Sequence, residues 1–334
     1  MKEKFNNIRV IEFGKSNTLS NKLLEKVSYI LRYVTTVPFY FENITTFNNF
    51  KIFAKTDYLI LTNQRVAFSA IPLLFIAKRF KKINTTVFIM GFFIKQSNNF
   101  FRILFRKVLT RLLYICFDQL IFLGKSEYEH VINSEGMNQK LHFLPFPVDT
   151  EFWNASQNFK KNDILFIGND GKRDYETVIA IANKLTQYNF TLISSKIDSS
   201  KITSKNVKFL EGHWANSTFS DLDIRNVYER SNLSIIPLKN SLQPSGQSVA
   251  LQSMSMEVPV LMTKTDGFWD HSVFDNNKNI YFLENNDIEL WCEKIKLIMK
   301  NPKLSKKVAV SAKDIISSRY TLNEFDQKLF DIIF

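Results

Sequence analysis

LSIIPLKNSLQPSGQSVALQSMSMEVPVLM, residues 233–262, reads as a buried strand, a Pro/Ser/Gly loop, a short helix and at once a second buried strand. The same order stands upstream, in DILFIGNDGKRDYETVIAIANKL at 163–185: an apolar strand, a loop at 168–174, then a helix over about 175–187. Further short strands follow at 190–194, 207–210 and 280–282, with helical periods between them. The first half repeats the alternation. IRVIEF at 8–13 reads as its first strand, followed by a turn at Gly14 and a helix over 22–33; strands at 58–61, 85–90, 119–123 and 140–145 come next. Alternating strands and helices are the pattern of parallel α/β domains. The expected architecture is two Rossmann-like, doubly wound parallel-sheet domains facing across a cleft, joined by the extended segment PFPVDTEFW at 145–153. The boundaries read as 1–150 for the first domain, 151–318 for the second, and 319–334 for a final helix that can pack back on the first domain.

Composition agrees with this. The 334 residues are about twice a typical domain, and 45% hydrophobic with 23% charged residues is ordinary globular usage, which argues against disorder or coiled coil. Two cysteines, Cys116 and Cys292, supply neither a disulfide framework nor a zinc site, so the chain is expected to be intracellular. No export signal is read in MKEKFNNIRVIEF at 1–13, and the apolar run VAFSAIPLLFIA at 66–77 is too short to span a bilayer and is expected to break at Pro72.

Charge is lopsided. Residues 1–150 carry 21 Lys+Arg against 10 Asp+Glu, a net of +11, whereas 151–334 carry 23 against 22, a net of +1. No acidic residue lies between Asp57 and Asp118, an interval that includes Lys78, Arg79, Lys81, Lys82, Arg102, Arg106, Lys107 and Arg111. An anionic partner is implied for the first half. In NFFRILFRKVLTRLLYICFD at 99–118, Phe101, Leu104, Phe105, Val108, Leu112, Ile115 and Cys116 share one helical arc, and Arg102, Arg106, Lys107 and Arg111 the other half. A basic amphipathic helix of this kind fits an anionic membrane surface; alternatively it packs its apolar arc on its own core. Nothing resembles a nucleic-acid reading motif.

Two loops carry candidate chemistry. Gly168–Asp174 lies between strand and helix, where glycine admits a ligand, helix-start N–H groups face an anion, and Lys172 and Arg173 add charge. A plain turn capped by Asp174 is the alternative, and no GxGxxG is present. The loop PSGQS at 244–248 stands in the same place before its own helix. The four His are scattered singly; His213-Trp214 could line a base pocket.

At this point the chain resembles the retaining, sugar-nucleotide-dependent glycosyltransferases of family 4, of GT-B fold. That family reads roughly E-G-x-G-x-x-x-x-E-A-M-A-x-G-x-P-V, matched here over 244–260, with Ser253-Met254-Ser255 for A-M-A and Pro259-Val260 for P-V. PVDTEFW at 147–153 is similar to the family's interdomain V-D-x-x-x-F segment. VKFLEG at 207–212, Tyr228 and the run to Pro237 look like the family's F-L-G, Y and A-D-x-x-x-x-P signals. Thr265-Asp266-Gly267 and RYTLNEF at 319–325 match in order.

The resemblance implies that Gly168, Asn169, Lys172 and Arg173 meet the donor diphosphate, with Arg173 and Lys172 stabilising the leaving group. Glu211 and Gly212 would meet the base; Ser245, Gly246, Gln247 and Ser248 the sugar and phosphate; and Gln252 the ribose. The first domain, 1–150, would face the acceptor or membrane and the second, 151–318, would hold the nucleotide sugar; Gly14, with Lys15, would be the first-domain donor contact, a plain turn or cap being the alternative. Asn169 replaces the usual Arg, Gln252 and Pro244 replace a pair of Glu, and the family's first-domain His is absent from FIMGFF at 88–93; Asn63-Gln64 remains as a polar pair there. The implied function is transfer of a hexose-like sugar, with retention, from a nucleotide-diphosphate sugar to a lipid-linked or cell-surface glycan such as lipopolysaccharide. The enzyme would sit peripherally on the cytoplasmic face of the membrane, with no metal and no other cofactor. The lost carboxylates motivate the alternative, a non-catalytic GT-B scaffold subunit of a glycan-assembly complex.

Overall fold

The computed structural model describes residues 8–11, 19–35, 37–94, 99–156, 161–212 and 218–334. The chain divides into two compact units. One comprises 1–123, 127–144 and 326–334, the other 124–126 and 145–325.

The first unit holds a parallel sheet in the order β1-β2-β3-β4: β1 (Tyr58–Leu61), β2 (Asn84–Ile89), β3 (Gln119–Phe122) and β4 (Leu141–Phe143). Its helices are α1 (Leu19–Thr35), α2 (Phe41–Ile44), α3 (Phe47–Phe53), α4 (Gln64–Ala77), α5 (Phe100–Cys116) and α6 (Lys125–Glu135). Asn63 and Asn99 cap α4 and α5 by accepting from Val66 and Arg102 backbone N–H. Two expectations fail here. Residues 8–11 form no strand; Ile8, Arg9 and Val10 are exposed and only Ile11 touches the core. Pro72 does not break α4, which runs through it with Phe68, Leu73 and Leu74 buried on either side; tertiary packing outweighs the lost backbone bond.

The second unit holds a six-stranded parallel sheet in the order β10-β9-β8-β5-β6-β7. The strands are β5 (Asp163–Ile167), β6 (Asn189–Ile193), β7 (Val207–Leu210), β8 (Ser231–Ile236), β9 (Val260–Thr263) and β10 (Tyr281–Leu283). The helices are α7 (Tyr175–Lys184), α8 (Asp221–Glu229), α9 (Gln247–Ser255), α10 (Ile288–Lys300), α11 (Pro302–Arg319) and α12 (Leu322–Ile333), the last crossing into the first unit at Asp326. Ile164, Leu165 and Phe166 are wholly buried, as expected of a central parallel strand covered on both faces. β5 pairs with β6 on one side and β8 on the other, so the strand order reverses between β5 and β8. In open α/β sheets ligands bind at the carboxyl ends of the strands at such a reversal.

Candidate active site

The chain leaves β5 into residues 168–174 and leaves β8 into residues 237–246, and the two loops are joined. Asp174 N–H donates to Pro237 O at 3.0 Å, Lys239 N–H to Lys172 O at 2.8 Å, and Arg173 pairs with Leu238 in an antiparallel bridge. Arg173 fills the space between them. A Cβ at Gly168 would stand 2.4 Å from Arg173 Nε, so the guanidinium stem lies directly on that glycine. Nη1 donates to Ser245 Oγ at 3.1 Å and lies 3.7 Å from Asp170 Oδ2; Ser245 Oγ in turn lies 2.9 and 3.0 Å from the Asp170 oxygens.

Arg173 is only 3% exposed, and its Nε has no hydrogen-bond partner among the described residues. Burial lowers the guanidinium pKa and Asp170 opposes the shift; from so high a starting value the group stays charged. The expected diphosphate cation is thus packed within the crevice wall, where it holds the crevice's two sides together.

Gly246 opens α9 with φ +76°, a left-handed conformation that disfavours side chains; a Cβ there would also stand 2.7 Å from Arg173 Nη1 and 2.8 Å from Ile236 Cγ2. No side chain caps α9, so its first turn, at Gln247 and Ser248, offers the helix-start geometry that anions occupy. Ser248 is exposed and Gln247 half-buried. One turn further, Gln252 Oε1 accepts from the Tyr228 hydroxyl at 3.1 Å. Tyr228 is fully buried, which pushes its hydroxyl far above the ordinary phenol range.

Asn169 is tied to structure at both ends of its amide: Nδ2 donates to Gly212 O at 2.8 Å, while Oδ1 accepts from Ser195 N–H at 2.6 Å and from the Ser194 and Ser195 hydroxyls. The loops after β5, β6 and β7 are thereby one body. Gly212 is buried against Phe219, and Glu211 beside it is exposed. Lys172 is half-buried, its N–H donating to Asp170 Oδ1 at 2.8 Å. Gly14, with Lys15, and the pair His213-Trp214 lie outside the described residues.

Residues that sequence reading missed complete this edge. Asn286 Nδ2 donates to Asp174 Oδ2 (2.8 Å) and Leu238 O (2.9 Å), and its Oδ1 accepts from Thr263 Oγ1 (2.5 Å). The backbone at 241–242 presses on Gly267, where a Cβ would come within 2.4 Å. A hollow of about 560 Å3 lies at the other end of the strands, lined by Lys161, Glu229, Glu257 and Lys306. Glu229 is bonded by Ser156 and Glu257 by Lys313, so both carboxylates there have partners. A sheet of this kind places its ligand at the opposite end.

The carboxyl ends of β1–β3 in the first unit carry a second polar cluster. Gln64 grips Met90 at both ends of its amide, Nε2 to O at 2.7 Å and Oε1 from N–H at 2.9 Å. Glu127, wholly buried, accepts from Gly91 N–H at 2.7 Å and Phe93 N–H at 3.3 Å, and burial pushes its carboxyl up to about 7. Gly91 has φ +78° and stands in the segment that lacks a His. Sequence reading had the Gln64 side of this cluster but no signal for Glu127.

The basic residues separate into two groups. Lys78 is committed to Asp118, Thr85 Oγ1 and Cys116 O, Lys81 pairs with Asp57, and Arg106 donates to Phe92 O and lies over the Phe92 ring. Arg79 lies over Phe75, and Lys82, Arg102, Lys107 and Arg111 have no ion-pair partner among the described residues.

No protein-family model matches the chain, and no curated protein matches it. Solved structures do. HepE of Anabaena, crystallised with UDP, is 13% identical, with a TM-score of 0.68 over 85% of this chain and 80% of that one. A glycosyltransferase of Rickettsia africae is 13% identical over 99% and 85%, TM-score 0.65. Sucrose-phosphate synthase of Thermosynechococcus elongatus is 12% identical over 87% and 77%, TM-score 0.67. The fold is therefore GT-B: two Rossmann-like α/β domains with parallel sheets of four and six strands.

Proposed function

We propose that this chain is a retaining glycosyltransferase of family-4 type, taking a sugar from a nucleotide-diphosphate donor held by the second unit. The observation that carries the reading is the Arg173 clamp, which joins the β5 and β8 loops at the strand-order reversal beside the uncapped start of α9. In this reading the diphosphate sits on the α9 amides and Lys172, the ribose reaches Gln252, and the base lies along Glu211 and Gly212. Arg173, one layer back, supplies fixed positive charge as the C1–O bond to the diphosphate breaks. The acceptor oxygen bonds to C1 on the same face, and its proton passes to the departing phosphate oxygen. Positioning and charge are enough, and neither a metal nor another cofactor is invoked. UDP in the HepE crystals supports a uridine nucleotide as the first donor to try.

The acceptor in this reading is a lipid-linked or cell-surface glycan, which puts the reaction at the cytoplasmic face of the membrane. A donor-hydrolysis screen over several nucleotide sugars, wild type against Arg173→Ala, tests it. Release of nucleoside diphosphate from one donor by wild type only is expected.

A non-catalytic GT-B scaffold is the second reading. Pro244 has no side-chain acceptor, and Gln252 Oε1 is engaged by Tyr228. Gln252→Glu separates the two: tighter donor binding supports the enzyme, whereas no detectable binding by either form supports the scaffold.

A further inference from the structure

Helix α5 packs on the first unit through Leu109, Leu113 and Cys116. On its outer side Phe100, Phe101, Leu104, Phe105, Val108 and Ile115 are between 38% and 72% exposed. At 100° per residue these six share an arc of about 140°. The arc is ordered to its tip, because Asn99 caps the first turn and Phe100 and Phe101 pack edge to face with centroids 6.0 Å apart.

Its border is cationic. Lys107 and Arg111 fall along one edge of the arc, neither ion-paired among the described residues, and no carboxylate occurs in the chain between Asp57 and Asp118. A globular monomer rarely shows so contiguous an apolar face without a partner. Two copies of this chain apposed through it would bring the Lys107 and Arg111 edges of the two stripes together, like charge against like. A lipid interface with negative headgroups satisfies both features at once: the ring and aliphatic groups enter the acyl boundary and the cations meet phosphates. Among the described residues no helix is long and apolar enough to cross a membrane, so α5 would lie in the plane of the interface.

We propose that the outer stripe of α5 seats the protein in the surface of an anionic bilayer. This gives the membrane-face reading above its physical anchor, and the docking itself does not require donor binding.

The test is flotation of the full chain with vesicles of phosphatidylcholine alone or mixed with phosphatidylglycerol, at low and high salt. Wild type should float with the anionic vesicles. Phe101→Ser/Leu104→Ser/Val108→Ser should lose at least about ten-fold in partition at either salt, because it removes apolar insertion. Lys107→Glu/Arg111→Glu should lose the preference for anionic lipid and the salt dependence. Circular dichroism melting and stabilisation by a nucleotide sugar, measured on the same variants, should match wild type, so that failure here is separable from failure of the transferase reading. The proposal is overturned if the triple variant floats like wild type. It is also overturned if wild type floats with neither vesicle type; light scattering that then shows a dimer abolished by the triple variant would assign the stripe to self-association instead.

Discussion

Arg173 Nη1 and Ser245 Oγ are 3.1 Å apart, across 72 residues of chain, and this contact joins the loops on either side of the strand-order reversal. The guanidinium also neutralises Asp170 and rests on two glycines, so removing it opens the crevice and leaves Ser245 and Asp170 without their cation. Arg173→Met should cost roughly 2–4 kcal/mol of stability in urea unfolding, and nucleotide affinity should fall at least about ten-fold. Arg173→Lys should rescue little of either, since an ammonium cannot reproduce the fork. Wild-type-like unfolding of both variants would contradict the clamp.

The glycines give a graded series. Gly168→Ala and Gly246→Ala each drive a methyl into Arg173, and the second adds a left-handed strain; losses of roughly 1–3 kcal/mol are expected. Gly171→Ala meets nothing within 4 Å and should stay within about 0.5 kcal/mol of wild type. Midpoints in chemical denaturation rank the three directly.

Tyr228→Phe removes the hydroxyl bonded to Gln252 Oε1 while keeping the ring that meets Trp153 edge to face. About 1 kcal/mol of stability should be lost. With its carbonyl released, Gln252 can accept from a ribose hydroxyl, so donor affinity should hold or rise. A fall in affinity larger than the fall in stability would show that Tyr228 orients Gln252.

Glu127 makes a pH prediction. Its carboxyl sits at about 7 in the folded chain, above the ordinary 4.5, because burial penalises the charge more than the Gly91 and Phe93 amides favour it. The folded state therefore holds this proton more tightly than the unfolded state. The stabilisation is complete below pH about 4.5 and is lost as pH rises through about 7. Glu127→Gln should remove about 2–4 kcal/mol of pH dependence between about pH 5 and about pH 8, with the variant the more stable form at the alkaline end. Parallel stability-against-pH curves would sink the assignment.

The buried strands were legible because parallel strands covered on both faces are unbroken apolar runs, and DILFI at 163–167 coincides with β5. IRVIEF at 8–13 has the same composition, but Ile8, Arg9 and Val10 face solvent; composition alone does not say whether a neighbour strand is present. The helix at 100–116 was legible, but not which arc faces the core: Leu109 and Leu113 turn inward, and Phe101, Leu104 and Val108 stay outside. At the candidate site, loop order could be read along the chain, and the side-chain ties could not. Asn286 reaches Asp174 across 112 residues, and no local pattern marks either. Nor does any pattern show that Arg173 is buried while Lys172, its neighbour, keeps partial access to solvent.

Calorimetric titration of the full chain with UDP-, GDP- and ADP-sugars bears most directly on the donor seat. At least one donor should saturate wild type. The same donor should bind at least about ten-fold more weakly to Gly168→Val, whose side chain displaces Arg173, and unchanged to Glu127→Gln. If no nucleotide sugar binds wild type, or if Gly168→Val binds as tightly as wild type, the loops after β5 and β8 do not hold a donor diphosphate.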